Sequence, residues 1–236
     1  MNTLPSPGLN FSRPSSCQNL REASQLLIAT SLCGTGAMIL LPATADAAIV
    51  ATPGISPATP LTVPYNIDGV YLNVLNGAAG SVSAAPGWDI NPYGSQNLSW
   101  FSQSNVTGGS LARYSSTGAT TAGSLDLSTL VDAATTYTNL TAAVTYGTAP
   151  GEWKLSAPNY FGFQFFHEGD NAVHYGWGIL TLGSGPSTGT RTLTNVYYES
   201  QPGVGIIVGT VPEPSSSLLA AGAVGIALLR RRRAAA

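Results

Sequence analysis

Apolar residues in the middle of the chain recur at every second position, and helical spacing is scarce. Ile67, Val70, Leu72 and Val74, with Tyr71, read as a first strand or two that stop at Asn76-Gly77, a strong turn dipeptide. Stretches 97–101, 109–114, 137–146 and 151–155 repeat the pattern at short intervals. Only 125–134 carries a helical face, because Leu127, Leu130 and Val131 fall at i, i+3 and i+4, and a helical turn is expected there. Short strands separated by Gly/Ser/Thr turns, with no crossover helices, predict an all-β fold. The expected architecture is a single antiparallel β-sandwich or jelly-roll-like ectodomain over residues 65–211. Residues 48–64 contain Pro53, Pro57, Pro60 and Pro64 and read as a Pro/Thr-rich, extended lead-in.

The strongest local signal is 160–182, YFGFQFFHEGDNAVHYGWGILTL. Asp170-Asn171 suits a tight hairpin turn, because both residues tolerate left-handed conformations. A turn centred there sets Phe165 opposite Gly176, Phe163 opposite Gly178 and Phe161 opposite Leu180. On the other face Phe166 meets Tyr175 and Gln164 meets Trp177. Both faces are apolar, which predicts a central hairpin. Strands at 190–199 and 204–208 follow, separated by the Gln201-Pro202-Gly203 turn.

The two ends read differently. Arg13 and Arg21 lie in a polar leader, Leu26 to Leu41 is an uncharged apolar run, and small residues follow through Ala48. This order predicts a secretory signal peptide over residues 1–47, its apolar run forming a signal helix removed by signal peptidase. Two A-x-A frames, Ala43-Thr44-Ala45 and Ala45-Asp46-Ala47, allow a mature start at Asp46 or Ala48, with Ala48 preferred. Cys17 and Cys33 are the two cysteines and both precede that point, so thiol catalysis, disulfides and zinc–thiolate sites are excluded from the mature chain.

Residues 212–236 open with Pro212-Glu213-Pro214, continue through an apolar segment to Leu229, and end with Arg230, Arg231, Arg232 and Arg233 before three alanines. Fifteen residues from Ser215 span about 22 Å as a helix, a short transmembrane segment beside a hydrocarbon core of about 30 Å. Four arginines hold their end on the cytoplasmic side, so the rest faces outward. These three parts in this order resemble the PEP-CTERM sorting signal. The resemblance implies a processing partner, an exosortase-type enzyme that cleaves near the motif. It also implies a Gram-negative host that makes exopolysaccharide, and a chain exported, transiently anchored in the inner membrane, then moved to the cell surface or the extracellular matrix.

Charge narrows the functional classes. Only 8% of residues are charged, the formal net charge is −2, and the sole basic run is terminal, so the chain has no face for nucleic acid. His167 and His174 are expected opposite each other, beside Glu168 and Asp170, as a weak candidate metal cluster. Their spacing is not that of a zincin, and a cross-strand polar pair capping the hairpin, with Glu168 and Asp170 as solvated turn residues, is the preferred reading, so neither a bound metal nor a cofactor is expected. No G-x-S-x-G occurs, and no pair of carboxylates is brought together by spacing. Trp88, Asp89, Asn91 and Tyr93, read as a loop, form a candidate glycan-binding set: an aromatic ring stacks on a sugar and the polar groups bind its hydroxyls. The functional expectation is a non-enzymatic, structural or glycan-interacting component of the exopolysaccharide matrix. The alternative is a secreted carbohydrate-active hydrolase on a β-sandwich.

Overall fold

The computed structural model describes residues 47–212 apart from 107, 108 and 116. The expected signal segment up to residue 46, and the tail from Glu213 through Pro214, the apolar helix and Arg230 to Arg233, lie outside the described residues. Among the described residues there is no helix, and every pairing between named strands is antiparallel. The architecture is all-β and consistent with a β-sandwich.

Twelve strands are described: β1 (Ile49–Ala51), β2 (Leu61–Val63), β3 (Tyr71–Leu72), β4 (Ala79–Gly80), β5 (Ile90–Tyr93), β6 (Ser99–Ser102), β7 (Leu130–Val131), β8 (Thr141–Ala143), β9 (Pro158–His167), β10 (Ala172–Thr181), β11 (Arg191–Glu199) and β12 (Ile206–Ile207). The first sheet runs β1-β11-β10-β9, with β2 also on β11. The second runs β4-β3-β5-β6-β8, and β7 pairs with β12 as a small ribbon. The Pro/Thr-rich stretch is thus woven into the fold, because β1 pairs with residues 197–199 of β11 and β2 with residues 191–193. Its prolines lie between these two strands or just after them, where no ladder hydrogen bond is required of them.

The long hairpin forms as expected and sits centrally, but its register differs by two residues. Phe163 faces Gly176, Phe161 faces Gly178 and His174 faces Phe165, while Gln164 meets Tyr175 and Gly162 meets Trp177. The cause is the loop. Glu168 to Asn171 form a four-residue connection closed by His167 and Ala172, Asn171 takes φ 55°, and Asp170 Oδ1 accepts the Ala172 N–H at 3.2 Å. A shift of two preserves every face assignment, since side chains alternate with period two. The rings still cover the glycines, and a Cβ on Gly176 or Gly178 would overlap Phe163 or Phe161.

Each face of this hairpin has its own cluster. Phe161, Phe163, Phe165, Leu180, Leu193 and Val196 pack against Leu72, Ile90, Trp100 and Ala142 of the second sheet, with Trp100 and Phe161 rings 4.8 Å apart. The opposite face, Tyr175 and Trp177, is covered by Ala112, Leu125, Val131, Ile206 and Val208. The helical turn expected at 125–134 is replaced by that cover. Leu125 bridges Tyr160, Val131 pairs with Ile206, and Ser128 takes φ 68°, which breaks a helix. Leu127 and Leu130 are left exposed. The free edge of β9 is bridged in its middle by Leu111 and Leu125, which shortens the open ladder.

Candidate functional site

The second sheet turns one face to the core and the other outward, and the alternation along β6 decides which rings appear outside. Trp100 is fully buried, whereas its neighbour Phe101 is 36% exposed. Tyr71 of β3 projects to the same outer side, and Trp88, just before β5, lies against both. The Tyr71 and Trp88 rings meet edge-on at 4.8 Å, and those of Trp88 and Phe101 are 5.6 Å apart and inclined by 32°. Gln103 donates from its side chain to the Trp88 carbonyl. The cross-strand partner of Phe101 on β8 is Thr141. Thr141 also lines an open depression of about 650 Å³ with Ser104, Val106, Asn139 and Leu140. An aromatic strip and a polar-rimmed hollow therefore adjoin on one face.

Of the four residues singled out from sequence, only Trp88 belongs to the strip. The segment expected as a loop is largely strand β5, and Asp89 and Asn91 are 3% and 2% exposed. Two excursions cover them. The loop around Gly69 folds over Asn91, which donates to the Asp68 carbonyl at 3.0 Å. Gly69 takes φ +66°, and a Cβ there would collide with the Pro92 carbonyl and the Tyr93 side chain, so the close approach requires glycine. On the other side the 73–87 excursion closes over Asp89, whose Oδ2 accepts the Val74 N–H at 2.8 Å. Burial, with Glu168 adding repulsion and the Val74 N–H opposing, pushes the Asp89 carboxyl up to about 8. Tyr93 is half-buried at the end of β5, beside Gly69. Tyr71 and Phe101 complete the strip and are not among the residues that the sequence singles out for binding. Their signal was the in–out alternation of two-residue and four-residue strands, too short to read.

The histidines assemble differently from the expected facing pair. His167 and His174 are diagonal across the hairpin end, ring centroids 5.2 Å apart, and Asp170 reaches both. His174 is buried, with Nε2 2.8 Å from Asp170 Oδ2 and Nδ1 2.8 Å from the Glu199 carbonyl. Partial desolvation works against the Asp170 charge. The hydrogen bond and charge of His174, then His167, outweigh it and hold the carboxyl below its ordinary value. His167 Nδ1 accepts the Gly169 N–H at 3.0 Å. Glu168 projects elsewhere, toward Gly87. The arrangement clips the hairpin loop to the end of β11. Both nitrogens of His174 are already engaged, so neither presents a lone pair outward.

Comparison with curated proteins gives no match. Comparison with solved structures gives none either. One family model does match, that of the PEP-CTERM protein-sorting motif, over residues 210–233. It spans the Pro-Glu-Pro, the apolar segment and all four arginines. The motif implies export, membrane anchoring before processing, and an exosortase as processing partner. The chain carries the sorting motif of a PEP-CTERM protein and is consistent with an exosortase substrate.

Proposed function

We propose that the ectodomain is a structural or glycan-interacting component of the exopolysaccharide matrix of a Gram-negative bacterium, with the glycan-interacting form favoured, reached after signal peptidase and exosortase processing. The observation that carries this reading is the outward cluster of Tyr71, Trp88 and Phe101, continued by the Ser104, Asn139 and Thr141 rim. Tyr71 and Trp88 are half-buried against each other and Phe101 is the exposed member, so the cluster presents a partly open aromatic surface, and such surfaces mark interaction sites. Aromatic faces stack on the C–H faces of sugar rings, and neighbouring hydroxyls and amides bond sugar hydroxyls. A shallow, open site suits a polymer that runs across it.

A second reading, a carbohydrate-active hydrolase, is favoured by one feature: a carboxyl held protonated near neutrality, Asp89, in the field of Glu168. Geometry weighs against it. A general acid must touch the glycosidic oxygen, whereas Asp89 is buried and tied to the Val74 N–H.

The test is retention of the exported protein on immobilised exopolysaccharide from the producing strain. Trp88→Ala and Phe101→Ala are each expected to weaken retention about tenfold, as for loss of one stacked ring worth roughly 1–2 kcal/mol. Loss of the more exposed Phe101 is expected to leave the melting temperature nearly unchanged, and loss of the half-buried Trp88 to lower it while the protein stays folded. Undiminished retention of the double variant would remove this face from any matrix role, and release of reducing ends by the parent would favour the hydrolase.

A further inference from the structure

Where β1 meets the end of β11, one backbone nitrogen is oversupplied with acceptors. The Ala48 N lies 2.9 Å from Glu199 Oε1 and 3.1 Å from Ser200 Oγ. The same Oε1 accepts the Gln201 N–H at 3.0 Å and the Ser200 hydroxyl at 3.3 Å, which leaves the Ser200 oxygen lone pairs for Ala48. An amide has one hydrogen to divide between these two acceptors, whereas an α-ammonium has three. Glu199 is 5% exposed, and among the described residues the ion pairs are those of His167 and His174 with Asp170, so no lysine or arginine neutralises it. A buried carboxylate without a cation is costly. Ala47 and Ala48 themselves are exposed, and Ile49 opens β1 directly behind them.

We propose that the chain is cleaved between Ala47 and Ala48 and that the new α-ammonium of Ala48 forms a structural ion pair with Glu199. The inference rests on the signal-peptide reading and decides between its two frames. Hydrolysis of the 47–48 peptide bond adds one water and leaves a carboxylate on the released leader and an ammonium on Ala48. That ammonium gives Glu199 its counterion and bonds Ser200 Oγ with a second hydrogen. A chain starting at Asp46 would move the ammonium two residues away and bring a further carboxylate near in sequence. The Ser200 N–H to Ala48 carbonyl bond, at 2.9 Å, holds the new terminus in place from the opposite strand.

The experiment expresses the full chain with its own leader in a Gram-negative host and sequences the exported protein. Two variants accompany it, Glu199→Gln and an insertion of Gly-Ser between Ala47 and Ala48, singly and together. The expected first residue is Ala48. The insertion is expected to lower the melting temperature by about 3 °C or more, and Glu199→Gln to lower the parent but leave the insertion variant almost unchanged. A second measurement spares Glu199: acylation of the α-amine is expected to be at least tenfold slower in the folded parent than in the insertion variant. Retention of residues 1–47 would sink the signal-peptide reading itself. Cleavage before Asp46 would leave that reading standing and overturn the ion pair. So would independent, additive effects of the two changes, or equal acylation rates.

Discussion

At the scale of single residues, the fold is marked by a few close approaches and one buried carboxyl, that of Asp89. Gly178 lies beneath the Phe161 ring with no room for a methyl group. Gly178→Ala is therefore expected to destabilise by about 1–3 kcal/mol, as overpacking does, measurable by urea unfolding of the exported protein. Asp89 makes a pH-dependent prediction. Its folded value is near 8 and its ordinary value is 3.8, so between these the folded protein holds a proton that the unfolded chain releases. Stability consequently falls as pH rises through that window and levels off above it. Asp89→Asn keeps an acceptor for the Val74 N–H, so melting temperatures measured from pH 5 to 9 should lose most of that slope. A variant as pH-dependent as the parent would show that Asp89 ionises without cost. Asp170 has the opposite sign: its lowered value means that its contribution is present above about pH 4 and is lost as acid protonates it.

At the scale of elements, the central hairpin is the organising unit, and its burial on two sides is directly testable. Phe161→Ala and Trp177→Ala lie under separate clusters, and each is expected to cost about 3–5 kcal/mol. A hairpin with one solvated face would make the second nearly neutral. This element was legible in the sequence because ten-residue strands carry enough alternation to declare both faces. Its register was not, because Asp170-Asn171 suits a two-residue turn as well as the last half of a four-residue loop, and only the left-handed Asn171 and the Asp170 cap select the latter. The cover over the second face was illegible for a different reason. In 125–134 a chance i, i+3, i+4 spacing coincides with a stretch held by one bridge from Leu125 to Tyr160 and by the short β7–β12 ladder, contacts distant in sequence. The candidate binding strip was half visible. Trp88 announces itself, but Tyr71 and Phe101 face outward only because Leu72 and Trp100 face inward, which becomes clear once the second sheet is assembled. Asp89 and Asn91 look like sugar-binding groups by type, and two covering loops turn them into internal braces.

At the scale of the whole molecule, an all-β domain consistent with a β-sandwich is followed by a sorting motif at residues 210–233. The C-terminal motif is expected to control where the domain ends up. Four arginines resist crossing the bilayer, each costing on the order of 2.5–3.5 kcal/mol at the centre of a helix, so they are expected to halt export, and two prolines flanking a glutamate disfavour a helix there. The two parts therefore fail in different ways. Serine in place of Arg230 to Arg233 is expected to let uncleaved chain slip through, whereas Glu213→Ala with Pro212 and Pro214 replaced is expected to leave full-length chain in the membrane. The most direct test is to fractionate cells expressing the parent and both variants and to measure intact mass in membrane and medium. The account predicts a parent found outside and lacking the arginine cluster, uncleaved protein in the medium for the serine variant, and uncleaved protein in the membrane for the motif variant. Identical processing and release of all three would contradict it.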